Sequence, residues 1–304
     1  MAAVVRPRIT KGGIKPRKRG LSALWSHHGF RRLTQLAIFV FILGIAIRHI
    51  LVGETGAVVT ASWEAYCPFG GLETLYTFIS SGGKTVSHTH LSNLVVLVAA
   101  LVTALAARNA FCGWICPFGF IQDMVASFSA FVQKKVPAIR KGVKTLKVKG
   151  QKLAVLDRPL RFLKYAVLVW SVGGAAYYGF MVFRDADPWA ALWNLAEASF
   201  TFGTVVLAVT LIASLFVERP WCRYACPLGA ATGLVGKLSP FYLKRESDSC
   251  TACAICTKAC PMGLPVHTAT TIKHADCMGC LECVDVCPRE GALALKLGVP
   301  VVGR

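Results

Sequence analysis

Four long apolar stretches, a charge that alternates from loop to loop, and a twice-repeated cysteine spacing near the C-terminus predict the fold class. It is an α-helical membrane protein of four transmembrane helices, built as a duplicated two-helix unit, with a small α+β domain at the C-terminal end. The chain of 304 residues is 55% hydrophobic and 16% charged, with a mean hydropathy of +0.54. A globular core of this size does not need so much apolar material. Stretches 33–52, 91–107, 162–183 and 199–217 are each close to the roughly 20 residues a helix needs to cross hydrocarbon.

The net charge of +19 is segregated by loop, which argues against a nucleic-acid-binding face. Nine Lys/Arg and no acid precede the first apolar stretch, and eleven Lys/Arg against two Asp fill 108–161. The loops 53–90 and 184–198 carry one basic residue each, Lys84 and Arg184. Positive-inside bias then puts the N-terminus, the central loop and the C-terminal tail in the cytoplasm, with 53–90 and 184–198 outside. The basic start and first apolar run also have the outline of a secretion signal, and Arg31–Arg32 faintly resembles a twin-arginine signal. The run is longer than a signal core and three more follow it, so a retained anchor is expected.

Each half reads span, outer loop, span, then Cys-x-x-x-Cys-Pro, a residue and Gly. The first copy is "CGWICPFG", with Cys112 and Cys116, and the second is "CRYACPLG", with Cys222 and Cys226. Cys67–Pro68 and Asp187–Pro188 occupy equivalent outer loops, so a cysteine in one copy is an aspartate in the other. Packed about a pseudo-two-fold axis, the four motif cysteines would converge at the inner membrane face as an additional redox or metal site. Where the helix runs through the motif, a spacing of four puts both sulfurs on one side. Inert buried thiols are the plainer reading, and disulfides do not suit a reducing cytoplasm.

The tail carries the most specific pattern. "CTACAICTKACP" and "CMGCLECVDVCP" both obey the C-x2-C-x2-C-x3-C-P spacing of bacterial ferredoxins with two [4Fe–4S] clusters. In that arrangement the fourth thiolate of each cluster comes from the other motif. The first cluster is expected to use Cys250, Cys253, Cys256 and Cys287, and the second Cys277, Cys280, Cys283 and Cys260. Paired C-x2-C also suits zinc, but eight cysteines in this duplicated order favour iron–sulfur. The domain limits are therefore a basic cytoplasmic N-terminus at 1–32, a membrane domain at 33–243 and a ferredoxin domain at 244–304, with "ALALKLG" as a terminal strand. The short connection 218–243 is expected to hold the clusters beside Cys222 and Cys226.

These residues together resemble the NapH-type family of membrane ferredoxins, which accompany periplasmic nitrate reductase and include methylamine-utilisation homologues. The likeness covers nearly the whole chain, through "CGWICPFG", "CRYACPLG", the outer "CPFGGLE" and the two-cluster tail. It implies a quinol-dehydrogenase subunit of the cell membrane that passes electrons between the quinone pool and a partner iron–sulfur or cytochrome protein. Nitrous-oxide-reductase maturation and cytochrome-oxidase assembly polyferredoxins share the paired motifs. Their large flavin-binding domain or extra β-domain has no counterpart here.

Quinol oxidation releases two protons with its two electrons, so its site needs a carboxylate or imidazole beside an apolar pocket. His49 or Glu73 would take the proton, with Glu64 and Cys67 nearby and Trp63, Tyr66 and Phe69 around the ring. Arg48 and His49 equally suit snorkelling to the outer interface, where aromatic residues also collect, and that is the simpler reading. No dinucleotide fingerprint, Cys-x-x-Cys-His or phosphate loop is present, so NAD, covalent haem and ATP are not expected. Two other functions compete with electron relay. Soft thiolates in the paired motifs suit copper reduction or maturation of a respiratory metalloenzyme, and clusters can sense redox state in a membrane regulator.

Overall fold

The computed structural model describes residues 26–52, 70–71, 74–75, 91–178, 182–196 and 199–298. The chain divides into two compact units, one drawn from residues 1–36, 102–115 and 232–304 and the other from residues 37–101 and 116–231. Helix α1 (His27–Val52) is followed by α2 (Leu91–Ala107), a π-helical turn (Phe111–Ile115), α3 (Pro117–Lys135) and α4 (Pro137–Tyr178). After a 3-10 turn at Arg184–Ala186 come α5 (Pro188–Ala196), α6 (Phe202–Ser214), α7 (Pro220–Tyr224) and α8 (Pro227–Gly236). Helices α3, α4, α5, α7 and α8 all open on proline, whose fixed φ suits the first helical turn, where its missing N–H costs nothing.

Among the described residues one helix, His27–Arg48 of α1, is both long and apolar enough to cross a membrane. Helices α2 and α6 are apolar but have 17 and 13 residues, about 25 and 20 Å at the α-helical rise, short of a hydrocarbon core of about 30 Å. Residues 162–178 form the end of the 42-residue α4, which begins in the basic segment. Local stops explain the short helices. Arg108 after α2 takes the left-handed φ of 62°. Thr201 starts α6, its N–H donating to the Thr204 hydroxyl at 3.3 Å. Val40 and Phe41 of α1, Val95 and Val102 of α2, and Val205 and Val209 of α6 stay exposed.

In the second unit the segment expected across the bilayer from the motifs lies against them. Ala191 of α5 and Leu207 of α6 form one buried group with Phe118, and Cys116, Trp189 and Trp221 pack around it. The Phe183 and Trp221 rings are 6.2 Å apart. Helix α6 is too short to hold 184–198 a full membrane thickness from Trp221.

In the first unit the tail folds as β1 (Phe241–Arg245), α9 (Ile255–Lys258), β2 (Thr271–Ile272), α10 (Glu282–Asp285) and β3 (Leu293–Leu297). The sheet order is β2-β1-β3, antiparallel throughout, with Leu243 opposite both Ile272 and Leu295. Leu243, Ile272 and Leu293 turn to one face, where Met262, Leu264, Val266 and Met278 bury them with Cys277, Cys280 and Cys283. The "ALALKLG" strand is β3.

The first paired-cysteine motif docks on this domain. Trp114 Nε1 donates to the Gly279 carbonyl at 3.1 Å, and Gln35 of α1 donates to the Gly113 carbonyl at 2.9 Å. Asn109 reaches the Ala275 carbonyl at 3.4 Å. The sequence pointed to the second motif as the neighbour of the tail; within this unit the contact is made by the turn that carries Cys112. Gly113 permits it, because a Cβ there would lie 2.5 Å from the Met278 carbonyl oxygen.

Gly113→Ala is therefore expected to lower stability by about 1–3 kcal/mol, the usual range for overpacking. Gly44→Ala in α1, where an added Cβ meets nothing within 4 Å, serves as the neutral or stabilising control. Thermal unfolding midpoints in detergent check both, and equal midpoints for the two variants would remove the docking role of Gly113.

Candidate metal centres

The two tail motifs fold alike. In each, the residue before the second cysteine and the residue after it are left-handed: Ala252 and Ala254 at φ 53° and 56°, Gly279 and Leu281 at 59° and 57°. Such a conformation is costly for alanine and leucine. Its use here follows from the loop it makes, since alternating right- and left-handed residues turn successive N–H groups into a concave anion-binding nest. Short helices α9 and α10 then carry Cys256 and Cys283.

Cys260, Cys277, Cys280 and Cys283 line one small apolar cavity of about 20 Å³, walled by Leu243, Met262, Leu264, Val266 and Ile272. Burial pushes the Cys280 thiol up to about 12, against the Glu282 N–H and the charge of Arg31. Burial also raises Cys283, and the neighbouring charges of Cys280, Cys277, Cys260 and Cys256 raise it further. Cys256 is raised by burial, and the thiols acting on it are Cys287, Cys250 and Cys253. The thiols acting on Cys256 thus include Cys287 of the other motif, and those acting on Cys283 include both Cys260 and Cys256 of the other motif. Cys253 is exposed, whereas Cys277, Cys280 and Cys283 are buried.

This arrangement fits a [4Fe–4S] cluster: four thiols line one apolar cavity, and backbone N–H groups point to the sulfurs of Cys260 and Cys280. Among the described residues no three His, Cys, Asp or Glu side chains are drawn close enough to hold a metal ion. A cubane spreads its four ligands over its corners, so its thiols need not touch one another. Because burial favours the protonated form of Cys256, Cys260, Cys280 and Cys283, binding iron there would release protons.

The paired motifs are built around two buried arginines that sequence reasoning missed. Each motif opens on a left-handed arginine, Arg108 at φ 62° and Arg219 at φ 51°, and both are buried. Helix therefore does not run unbroken from the apolar stretch through the motif, as the spacing-of-four argument assumed. The legible signal was a lone basic residue three or four positions before the first cysteine of each copy.

In the second unit Arg219 grips Asp123 in a fork, Nε to Oδ1 at 2.8 Å and Nη2 to Oδ2 at 2.6 Å. Its charge reaches both Cys116 and Cys222. Burial raises Cys116, against the Gly119 and Phe118 N–H groups and Arg219, and pushes Cys222 up to about 11. The Gly229 N–H donates to Cys226 Sγ at 3.3 Å. Each Cys-Pro step thus sets a thiol at the start of the helix that its proline opens, where N–H groups favour negative charge.

The polar contacts of the two copies correspond. Gln122, six residues after Cys116, donates to Cys222 Sγ at 3.5 Å. Thr232, six residues after Cys226, has its hydroxyl 3.9 Å from Cys112 Sγ. Each contact lies within one unit, and each joins the first cysteine of one copy to the equivalent residue of the other. Cys116, Cys222 and Cys226 belong to the second unit, while Cys112 belongs to the first.

Asp187, the counterpart of Cys67, caps α5 by accepting the Trp189 N–H at 3.0 Å. Burial pushes its carboxyl up to about 6, against the N–H groups of Trp189 and Ala190, and its charge acts on Cys116. Of the quinone-site candidates, His49 lies in the last turns of α1. Glu64, Cys67 and Glu73, with Trp63, Tyr66 and Phe69, lie outside the described residues.

A 4Fe-4S binding domain matches residues 89–138 and 200–246, and a 4Fe-4S dicluster domain matches residues 242–288. YccM of Escherichia coli (strain K12), named as a candidate electron transport protein, is 30% identical over 297 residues, 90% of this chain and 77% of the relative. The ferredoxin-type protein NapH of Haemophilus influenzae is 28% identical over 221 residues, 68% of this chain and 70% of the relative. The regulatory protein NosR of Stutzerimonas stutzeri is 28% identical over 202 residues, 64% of this chain and 26% of that longer protein. No solved structure matches.

Removing one partner of a buried ion pair leaves an uncompensated charge, so Arg219→Gln or Asp123→Asn is expected to cost about 3–5 kcal/mol. The double variant is expected to recover part of that loss in thermal unfolding, and additive losses would show the pair to be uncoupled. For Asp187 the stability contribution is present below the unfolded value near 3.8 and is lost as pH rises through about 6. Asp187→Asn is accordingly expected to gain on wild type by about 1–3 kcal/mol above pH 6. Unfolding midpoints at pH 5 and pH 8 measure it, and a gain that does not grow with pH contradicts it.

Proposed function

The chain belongs to the NapH-type polyferredoxin family of iron–sulfur electron-transfer proteins, and from that premise we propose that it relays electrons between the quinol pool and a partner iron–sulfur or cytochrome protein. In this reading the first [4Fe–4S] cluster is held by Cys250, Cys253, Cys256 and Cys287, and the second by Cys277, Cys280, Cys283 and Cys260. The observation that carries it is the apolar cavity onto which Cys260 of one motif and the first three cysteines of the other all open. Bound there, the clusters supply one-electron acceptance in a site shielded from water.

The chain's own residues do the rest. Leu243, Met262, Leu264, Val266 and Ile272 keep water from the second site, and the left-handed loops aim backbone N–H groups at both. Quinol gives two electrons and two protons as it becomes quinone: His49, near the end of the first span, or Glu73, in the loop that follows it, takes one proton, and the other passes to water. The chain resides in the cell membrane with both termini in the cytoplasm, α1 crossing it whole and the apolar but shorter α2 and α6 entering it. The exposed aliphatic side chains of α1, α2 and α6 support lipid contact, and the loop charges support the orientation.

A second reading, metal reduction or redox sensing at the paired motifs, is favoured by one feature: Arg219 acts on both Cys116 and Cys222. Cationic surroundings stabilise thiolates, and thiolates bind copper(I). Stoichiometric copper lost in Cys112→Ala or Cys222→Ala would favour that reading over the quinol relay.

Anaerobically purified protein is expected to hold about eight iron and eight sulfide, the content of two cubanes. Cys283→Ala is expected to lose about half of each, and a quinol analogue is expected to reduce the wild-type clusters as seen by EPR. Zinc in place of iron, or clusters that no quinol reduces, would overturn the relay.

A further inference from the structure

The two cysteine sets differ in burial, and two buried arginines lie near the more buried one. Arg31 and Arg108 are 3% and 2% exposed, and both approach the second set. The Arg31 Nη2 lies 3.8 Å from Glu282 Oε2, which places the guanidinium at α10, between Cys280 and Cys283 in sequence. Arg108 donates to the His274 carbonyl at 2.8 Å and to the Ile272 carbonyl at 3.5 Å, just ahead of Cys277 in sequence. Cys253 of the first set is exposed, so water and salt screen the charges near it.

We propose that Arg31 and Arg108 set the reduction potential of the second cluster, making it the higher-potential member of the pair and the centre on which an electron comes to rest. This rests on the two-cluster reading above. Reducing a thiolate-bound cubane adds a negative charge to a site that is already anionic. Burial disfavours the more highly charged form and lowers the potential. The second set is the more buried, so burial alone would make its cluster the harder one to reduce. A guanidinium stays charged when buried, and a buried charge is little screened by salt. Two of them reverse the order by stabilising the reduced form.

Acidic neighbours work in the opposite direction. Glu282 lies between Cys280 and Cys283 in sequence, and it is held by His28 Nδ1 at 2.6 Å as well as by Arg31. Asp285 accepts the His28 backbone N–H at 2.9 Å. Removing the Glu282 charge should therefore shift the same cluster the other way. Arg31 acts through the field at the sulfur and belongs to neither ligand set, which makes it a positioning residue.

Potentiometric EPR titration of the full-length protein tests this. Wild type is expected to show two one-electron waves, the upper of which disappears in Cys283→Ser. Arg31→Gln is expected to cut the reduced-to-oxidised ratio of the upper wave about tenfold at fixed potential, a shift of about 59 mV, with the lower wave unmoved. Arg31→Lys should keep most of the wild-type value, and Glu282→Gln should raise the upper wave. An unmoved upper wave in Arg31→Gln, or equal shifts of both waves, overturns the proposal. Should Arg31→Gln fail to retain the cluster, Glu282→Gln decides: an unshifted upper wave there overturns it as well. Wild-type protein without any reducible iron would sink the two-cluster reading itself, a result distinct from two intact waves that ignore Arg31.

Discussion

Four cysteines open onto a cavity walled by leucine, methionine, valine and isoleucine, and the cost of carrying a thiolate's charge out of water there bears on every element around it. Burial raises Cys256, Cys260, Cys280 and Cys283 alike. What offsets the cost is local: backbone N–H groups turned inward by left-handed residues, and cationic side chains from elsewhere in the chain. The strained φ values at Ala252, Ala254 and Leu281 are consistent with that demand, since a relaxed loop would turn those N–H groups away.

The same solution recurs in the second unit. Arg219 sits without solvent exposure, tied to Asp123, with the thiols of Cys116 and Cys222 within reach of its charge. A buried ion pair of this kind is seldom a net gain in stability, because both partners lose their hydration. Its retention beside two thiols makes sense if the charge itself is useful there. Asp187 presses in the opposite direction on Cys116, and its own carboxyl is raised by the same burial.

The duplication connects the two units in sequence logic. Residue six after each Cys-Pro step meets the first cysteine of the other copy, as Gln122 does for Cys222 and Thr232 for Cys112. The copies have since diverged in what they touch: the turn around Gly113 lies on the Met278–Gly279 backbone, while α7 and its Trp221 pack with Phe118 and Phe183.

Much of this was legible without coordinates, because spacing along the chain encodes it. Two runs of C-x2-C-x2-C-x3-C-P announce an iron–sulfur tail, proline after cysteine announces a helix start, and "ALALKLG" alternates as a strand must. Helix lengths were less legible, since hydropathy sees an apolar run but not the left-handed Arg108 or the Thr201 start that cuts it short. Tertiary structure alone decided that Gly113 lies on the ferredoxin-type domain, that 184–198 returns to the Cys116 motif, and that Arg31, Arg108 and Arg219 are buried. The reason is physical: a lone arginine beside an apolar run reads as a surface charge until the thiols and carboxylate that repay its burial are brought to it from far along the chain.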